Sequence, residues 1–419
     1  MSDPRREGEV GRLRRLFGVF GAIQGAGRSP VYAALSEGVV GDGDLLALLL
    51  DAPADQRRPS LLFAAVNLLL AGGRGAELAA YYPIHGGSRA VDGQLVPVFA
   101  AFCRRHRDEL ARLLSERSTQ TNEIRRCVAL RLGVDHVQRH WPGPVHLVEV
   151  GASAGLNLLF DRYDYRFDGG AATGCDGSRV VVSCEVRGGA GGGELGGVPG
   201  GEWSEARGEG KGEARGASGA GFLRAAPPIV RRLGIDQHPI DLSDPGARAW
   251  LEAFVWPEQT AELATLRGAF TLAAATAATA ATASTAAASV VRGDATTDTA
   301  RILGELPGRE PVVVFTASLL SYLTAQARTA FVAQLRQAAQ RRPVAWVFAE
   351  APGLLATTGL DIPALRGPLA RRNTLYLVGA SLRGAAPDHD RSLGLADPYL
   401  RWLSPARTPA DDFSWVPPS

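Results

Sequence analysis

Long apolar runs are missing from this chain, and none approaches the roughly 20 residues that a membrane-spanning helix needs. Cysteine is scarce: only Cys103, Cys127, Cys175 and Cys184 occur in 419 residues. They show neither CxxC spacing nor a compact disulfide framework, so reduced thiols are expected. Charge of one sign is also absent. The 45 basic and 43 acidic residues leave a formal charge of +2, which gives no electrostatic case for nucleic acid or an anionic membrane as a partner. The stretch from Met1 to Arg15 is charged and lacks the apolar core of a secretory signal, so a cytoplasmic location is expected.

What remains is an ordinary globular composition, 46% apolar and 21% charged, with length for two or three domains. The first part reads as helical. Leu13, Leu16, Phe17 and Phe20 recur at helical spacing, as do Leu61, Leu62, Ala65, Val66 and Leu69. Pro30, Pro53, Pro59, Pro83 and Pro97 fall near predicted helix starts. No strand-like alternation precedes residue 144, so residues 1–143 are expected to form a helical N-terminal cap domain. Two patches in it are unlike core. One runs from Glu77 to Gly87 and contains Tyr81, Tyr82 and His85; the other runs from Ser118 to Arg126 and contains Thr121, Asn122 and Glu123. Asn122 or Thr121 can serve simply as a helix cap, and the tyrosines can simply pack. His136 and His140 stand four apart on a predicted helix, but no HExxH motif or well-spaced carboxylate accompanies them. They are expected to be solvated helix residues, and no metal is expected.

From residue 144 strands alternate with helices, the pattern of a parallel α/β sheet over residues 144–410. Predicted strands are Val145–Val150, Val180–Val186, Ile229–Ile235, Ser289–Arg292, Val312–Thr316, Val344–Ala349 and Thr374–Ser381. A predicted helix over Leu156–Tyr163 follows the first. Residues 188–221 are rich in glycine and charge and are expected to be a disordered insertion. Residues 273–289 contain only Ala, Thr and Ser and read as a helix end and linker.

Candidate functional residues stand at the carboxyl ends of these strands, where open α/β sheets bind ligands. The first group is Glu149-x-Gly151-x-Ser153-x-Gly155, followed by Asn157. Its small residues bring backbone N–H groups and a helix start to one spot, as a nucleotide-like ligand requires. Leu156 stands where a dinucleotide fingerprint needs its third glycine, so NAD fits worse. Asp236 ends the predicted strand at Ile229–Ile235, as an acid that accepts from ribose hydroxyls should. Asp294 follows another, on the adenine side. Thr316 ends a fourth, with Ser318 and Tyr322 next where a substrate would face them, and Glu350 points at the same rim. The letters Gly151-Ala152-Ser153-Ala154-Gly155 also spell GxSxG, so a serine hydrolase is an alternative, with Asp236 or Asp294 as acid and His389 as base.

Seven segments together carry a resemblance: Ala79–Pro83, Gln120–Glu123, Leu147–Leu158, Gly234–Asp241, Val255–Gln259, Val312–Leu323 and Tyr399–Leu403. In that order they resemble a bacterial family known only as a domain of unknown function, over roughly residues 10 to 405. That family looks related to Rossmann-like S-adenosylmethionine-dependent methyltransferases. The resemblance implies a Rossmann-like, seven-stranded, mostly parallel methyltransferase-type sheet, closing in a hairpin of Leu375–Val378 with Leu400–Leu403. It implies S-adenosylmethionine against Gly151–Gly155, with Tyr81, Tyr82, His85 and Gln120–Glu123 as residues that could close over it. A small-molecule acceptor is expected, with no nucleic acid and no membrane. A non-catalytic cofactor-binding protein on a degenerate methyltransferase fold is the other alternative.

Overall fold

The computed structural model describes residues 4–25, 28–120, 123–168, 173–175, 178–187, 225–280, 287–372, 374–384 and 388–406. The glycine-rich tract 188–221 lies outside them, as do Thr121 and Asn122. The chain divides into two compact units, Met1–Asn122 with His238–Ala281, and Glu123–Gln237 with Thr282–Ser419. That division differs from a helical domain running unbroken over residues 1–143. The helical unit recruits a later segment, and the helix Cys127–His140 belongs with the sheet.

In the helical unit, prolines at the starts of Pro30–Gly41 and Pro59–Ala71 fill first-turn positions where their missing N–H groups cost nothing. Ser29 caps the former by accepting the Tyr32 N–H at 3.0 Å. The apolar stripes of Pro4–Val19, Pro30–Gly41 and Pro59–Ala71 meet in one core that includes Phe17, Tyr32, Phe63 and Tyr82. Trp250 and Trp256, contributed by the later segment, are part of that same core. Asn67 Nδ2 donates to the carbonyls of Ala253 (2.9 Å) and Val255 (3.1 Å), and the Val31 N–H donates to Glu258 Oε1 (3.0 Å). The later segment therefore completes a core that the first begins.

Among the described residues the other unit has eleven strands: β1 (Val145–Val150), β2 (Asp164–Phe167), β3 (Thr173–Gly174), β4 (Val181–Val186), β5 (Ile229–Asp236), β6 (Ala288–Arg292), β7 (Val312–Ala317), β8 (Val344–Glu350), β9 (Tyr376–Arg383), β10 (His389–Ala396) and β11 (Trp402–Pro405). They form one sheet in the order β3-β2-β4-β11-β10-β9-β8-β7-β1-β5-β6. The run β6-β5-β1-β7-β8 is parallel. Its central strands are covered on both faces, which is why β1, β7 and β8 are nearly continuous apolar sequence. On one face Trp346 and Phe348 of β8 meet Phe331 and Leu335 of the helix Ala325–Ala339. On the other, Cys127–His140 packs on β8 and β9.

The sheet is larger than the expected seven strands, and its antiparallel part is wired differently. β9 pairs with β10, not with Leu400–Leu403; Trp402–Pro405 pairs instead with β10 on one side and β4 on the other. β10 reads HDRSLGLA, half-buried along its polar first part, so it carries no clean alternation to reveal it. Leu400 has a φ of 49°, in a turn before β11.

One buried ion pair holds the segment after β1 in place. Arg232 of β5 is 4% exposed and grips Asp161 with two bonds, Nη1 to Oδ1 at 2.6 Å and Nη2 to Oδ2 at 2.8 Å, while Nη1 also donates to the Leu158 carbonyl at 2.6 Å. Arg232→Ala leaves Asp161 with the more distant Arg162, at 3.7 Å, as its cation among the described residues. We expect it to lower stability by about 3 kcal/mol in urea unfolding, as loss of one partner of a buried pair does. A change below about 1 kcal/mol would mean the pair behaves as an exposed one.

Candidate functional site

After β1 the chain first makes β2, β3 and β4 at the far end of the sheet, then forms β5 and β6 on one side of β1 and β7 and β8 on the other. The carboxyl ends of β1 and β7 therefore flank a topological switch point, where open α/β sheets leave a crevice. The turn that leaves β1 occupies this place. Gly151, Ser153 and Gly155 have φ of 79°, 52° and 70°, all left-handed. At Gly155 a Cβ would also stand 2.9 Å from Val290 Cγ2, so the position demands glycine on two counts. Ser153 tolerates its conformation with help: its N–H donates to Asp236 Oδ2 at 2.7 Å. The N–H groups of Gly151 and Ala152 donate to the Ile235 carbonyl at 2.8 and 3.3 Å, which fastens the turn to the end of β5.

The expected helix over Leu156–Tyr163 is instead a 3₁₀ segment, Leu156–Arg162, with a kink at Leu159. Two of its carbonyls are diverted from helical bonding. The Tyr163 hydroxyl donates to Leu156 O at 2.7 Å, and Arg232 takes Leu158 O. The turn thus offers left-handed, closely approachable backbone but no α-helix end.

Two buried carboxyls stand at the same rim. Glu149, 4% exposed, accepts from Asn157 Nδ2 at 2.8 Å through Oε1, while its Oε2 has no hydrogen-bond partner among the described residues. Burial pushes Glu149 up to about 8, against the Asn157 bond and the charge of Arg126. Glu350 ends β8 fully buried; its two oxygens accept the N–H groups of Leu319 (2.9 Å) and Leu320 (3.2 Å). Burial pushes it too up to about 8, opposed by bonds from Thr316 and these backbone groups and by Arg126. Arg126 is itself 8% exposed, donates from Nη1 to the Ala317 carbonyl at 3.3 Å, and has no partner at Nε among the described residues.

Most of the expected residues converge here. Glu149, Gly151, Ser153, Gly155 and Asn157 form the β1 end of the rim. Asp236 ends β5, and Asp294 follows β6, accepting from Gln237 Nε2 at 2.6 Å and from the Thr296 N–H at 2.7 Å. Thr316, in β7, accepts from Trp346 Nε1 at 3.0 Å, and Ser318 (φ 65°) shares a short hydrogen bond with the Tyr376 hydroxyl. Burial raises Tyr376 to about 12.

The remaining expected residues are found in other settings. Tyr322 is 46% exposed. Glu123 caps the turn Ile124–Arg126, accepting the Arg125 N–H at 3.4 Å. Asn122 lies outside the described residues. Tyr81, Tyr82 and His85 belong to the helical unit. There the Tyr81 hydroxyl donates to Asp92 at 2.6 Å, Tyr82 is buried in the aromatic core, and His85 Nε2 meets Asn67 Oδ1 at 2.6 Å. The hydrolase arrangement is not assembled around its proposed base. His389 begins β10 opposite Leu382 of β9, at the edge where β8 starts, whereas Ser153 follows the carboxyl end of β1. Arg126 and Tyr376 went unpredicted as site residues. Arg126 sits beside Arg125 in the polar patch, and only the fold distinguishes them, burying the one and leaving the other half-exposed.

The buried acids make stability depend on pH in a definite direction. Unfolded, they release their protons near 4.5; folded, they hold them to about 8. The folded state binds more protons in between, so stability falls as pH rises through that window. Calorimetric melting from pH 7 to pH 9 should show this fall, and Glu350→Gln should lessen it, with Glu149 keeping its share. An unchanged slope in that variant would mean Glu350 is ionised when folded.

A model of a family described as uncharacterized protein conserved in bacteria (DUF2332) matches residues 14–198 and 204–404. No curated protein matches the chain.

Proposed function

Because the chain belongs to that uncharacterized bacterial family, its chemistry must be read from its own residues, and we propose that it is an S-adenosylmethionine-dependent methyltransferase with a small-molecule acceptor. One observation carries the reading: Glu149, Asp236 and Asp294 stand at the carboxyl ends of three adjacent parallel strands, around a left-handed glycine turn at the switch point. Asp236 would accept from the ribose hydroxyls, and Asp294 with Gln237 would face the adenine. The unpartnered Glu149 Oε2 suits the ammonium of the methionine half, and the unpartnered Arg126 Nε suits its carboxylate. A buried acceptor and a buried donor of this kind are costly unless a ligand satisfies them. When bound, S-adenosylmethionine supplies an electrophilic methyl carbon on a sulfonium. The residues around it need only orient the acceptor in line and exclude water. Ser318, Tyr376 and Glu350 are the polar groups on the β7–β8 side of the rim suited to that orientation.

A specific observation favours a second reading, a cofactor-binding protein without transfer: the hydroxyls of Thr316 and Ser318 already have partners inside the chain. Single-turnover assays with labelled cofactor and candidate small acceptors separate the two, because the binding protein would retain the methyl group.

Titration calorimetry should show S-adenosylmethionine and S-adenosylhomocysteine binding, and NAD not binding. Absence of binding at millimolar ligand would overturn the reading. Asp236→Asn, which keeps an acceptor for the Ser153 N–H but removes the charge, should weaken binding at least about fivefold, as loss of a charged hydrogen bond does. Because Glu149 holds its proton to about 8, an incoming ammonium must displace it. Affinity should therefore rise as pH approaches that value, and Glu149→Gln should abolish the rise.

A further inference from the structure

We propose that His136, His140 and His389 form a binding site for a divalent transition-metal ion of the zinc class, held by three imidazoles with a fourth position for water. The site lies away from the carboxyl-end rim, at the edge of the sheet where β8 begins and β10 starts. His136 and His140 are one helical turn apart on Cys127–His140, so their rings leave the same face, 4.8 Å between centroids. His389 approaches from β10, its ring 4.6 Å from His140 and 5.5 Å from His136.

The spacing matches shared coordination. Two nitrogens each about 2.0–2.1 Å from a tetrahedral zinc stand roughly 3.3 Å apart. The Nε2 atoms of His136 and His389 are 3.3 Å apart, and all three candidate ligand nitrogens lie within 4.8 Å of one another. A hydrogen bond between two neutral rings would account for that one pair; it would not account for a third imidazole brought against both. Three protein ligands and an open position is the arrangement of a zinc that keeps a water, and His140 is exposed, so that position has access.

Two arginines, Arg139 and Arg391, lie near His136. Of the two arginines, Arg139 is bonded to Asp135 at 2.8 Å and Arg391 lies on β10. Their charge opposes a cation, and the carboxyl-terminal end of the helix that carries two of the ligands favours one. Imidazole ligands favour zinc, copper and nickel over magnesium or calcium.

The test uses the full chain, stripped with a chelator and titrated with zinc chloride alone by calorimetry. One ion per chain should bind in the micromolar range or tighter. His140→Ala, an exposed position whose loss should leave the fold intact, and His389→Ala should each weaken binding at least about tenfold. Zinc should raise the melting midpoint of the parent chain and not of either variant. Cobalt in place of zinc should give visible absorption that both variants lose. No binding in the micromolar range, or binding that both variants retain, would overturn the proposal.

Discussion

β1 is buried along its whole length between β5 and β7, and the candidate site depends on that placement. A strand covered on both faces cannot tolerate slippage, because moving it by one residue would exchange every side chain between two packed layers. Its register in turn fixes where Glu149 ends and Gly151 begins. The left-handed turn is then fastened to the end of β5 by the bonds to Ile235 and Asp236. Arg232 repeats the fastening one step further along, through Asp161 and Leu158.

The same rim gathers ionisable groups that the interior resists. Glu149, Glu350 and Arg126 are all nearly or wholly buried, and burial acts on both carboxyls more strongly than their bonds do. A fold selected for stability alone would favour apolar residues here, since buried charged groups seldom repay their desolvation. Arg126 keeps one donor and Glu149 one acceptor without partners among the described residues. Such groups concentrate where a protein meets a ligand.

Much of this was legible in the sequence, for identifiable reasons. β1, β7 and β8 are nearly continuous apolar runs, the Gly151–Gly155 turn follows β1 directly, and the acids Asp236 and Asp294 stand at or just after the ends of their strands. Local pattern is enough for these. It is not enough for β10, whose polar beginning hides a strand, nor for the segment after Gly155, where Tyr163 and Arg232 take carbonyls from an apparent helix. Long-range packing was equally hidden. Arg125 and Arg126 look alike until the sheet buries one, and His389 looks unrelated to His136 until β9 and β10 pair. The boundary between units was concealed in the same way, because nothing near Trp250 or Trp256 announces that they belong to the core of residues far before them.

That last arrangement bears on the order of synthesis. The helices of residues 4–116 emerge first, yet their shared core lacks Trp250 and Trp256, and Asn67 lacks the carbonyls of Ala253 and Val255. The strands β1 to β5 are made while that core is still open. The part of the protein that begins first is thus finished late, and a nascent chain stopped between residues 122 and 238 carries an exposed aromatic surface for as long as it pauses. Chaperone engagement should peak in that interval, and a fragment cut at the end of the first segment should be an aggregating piece rather than a domain.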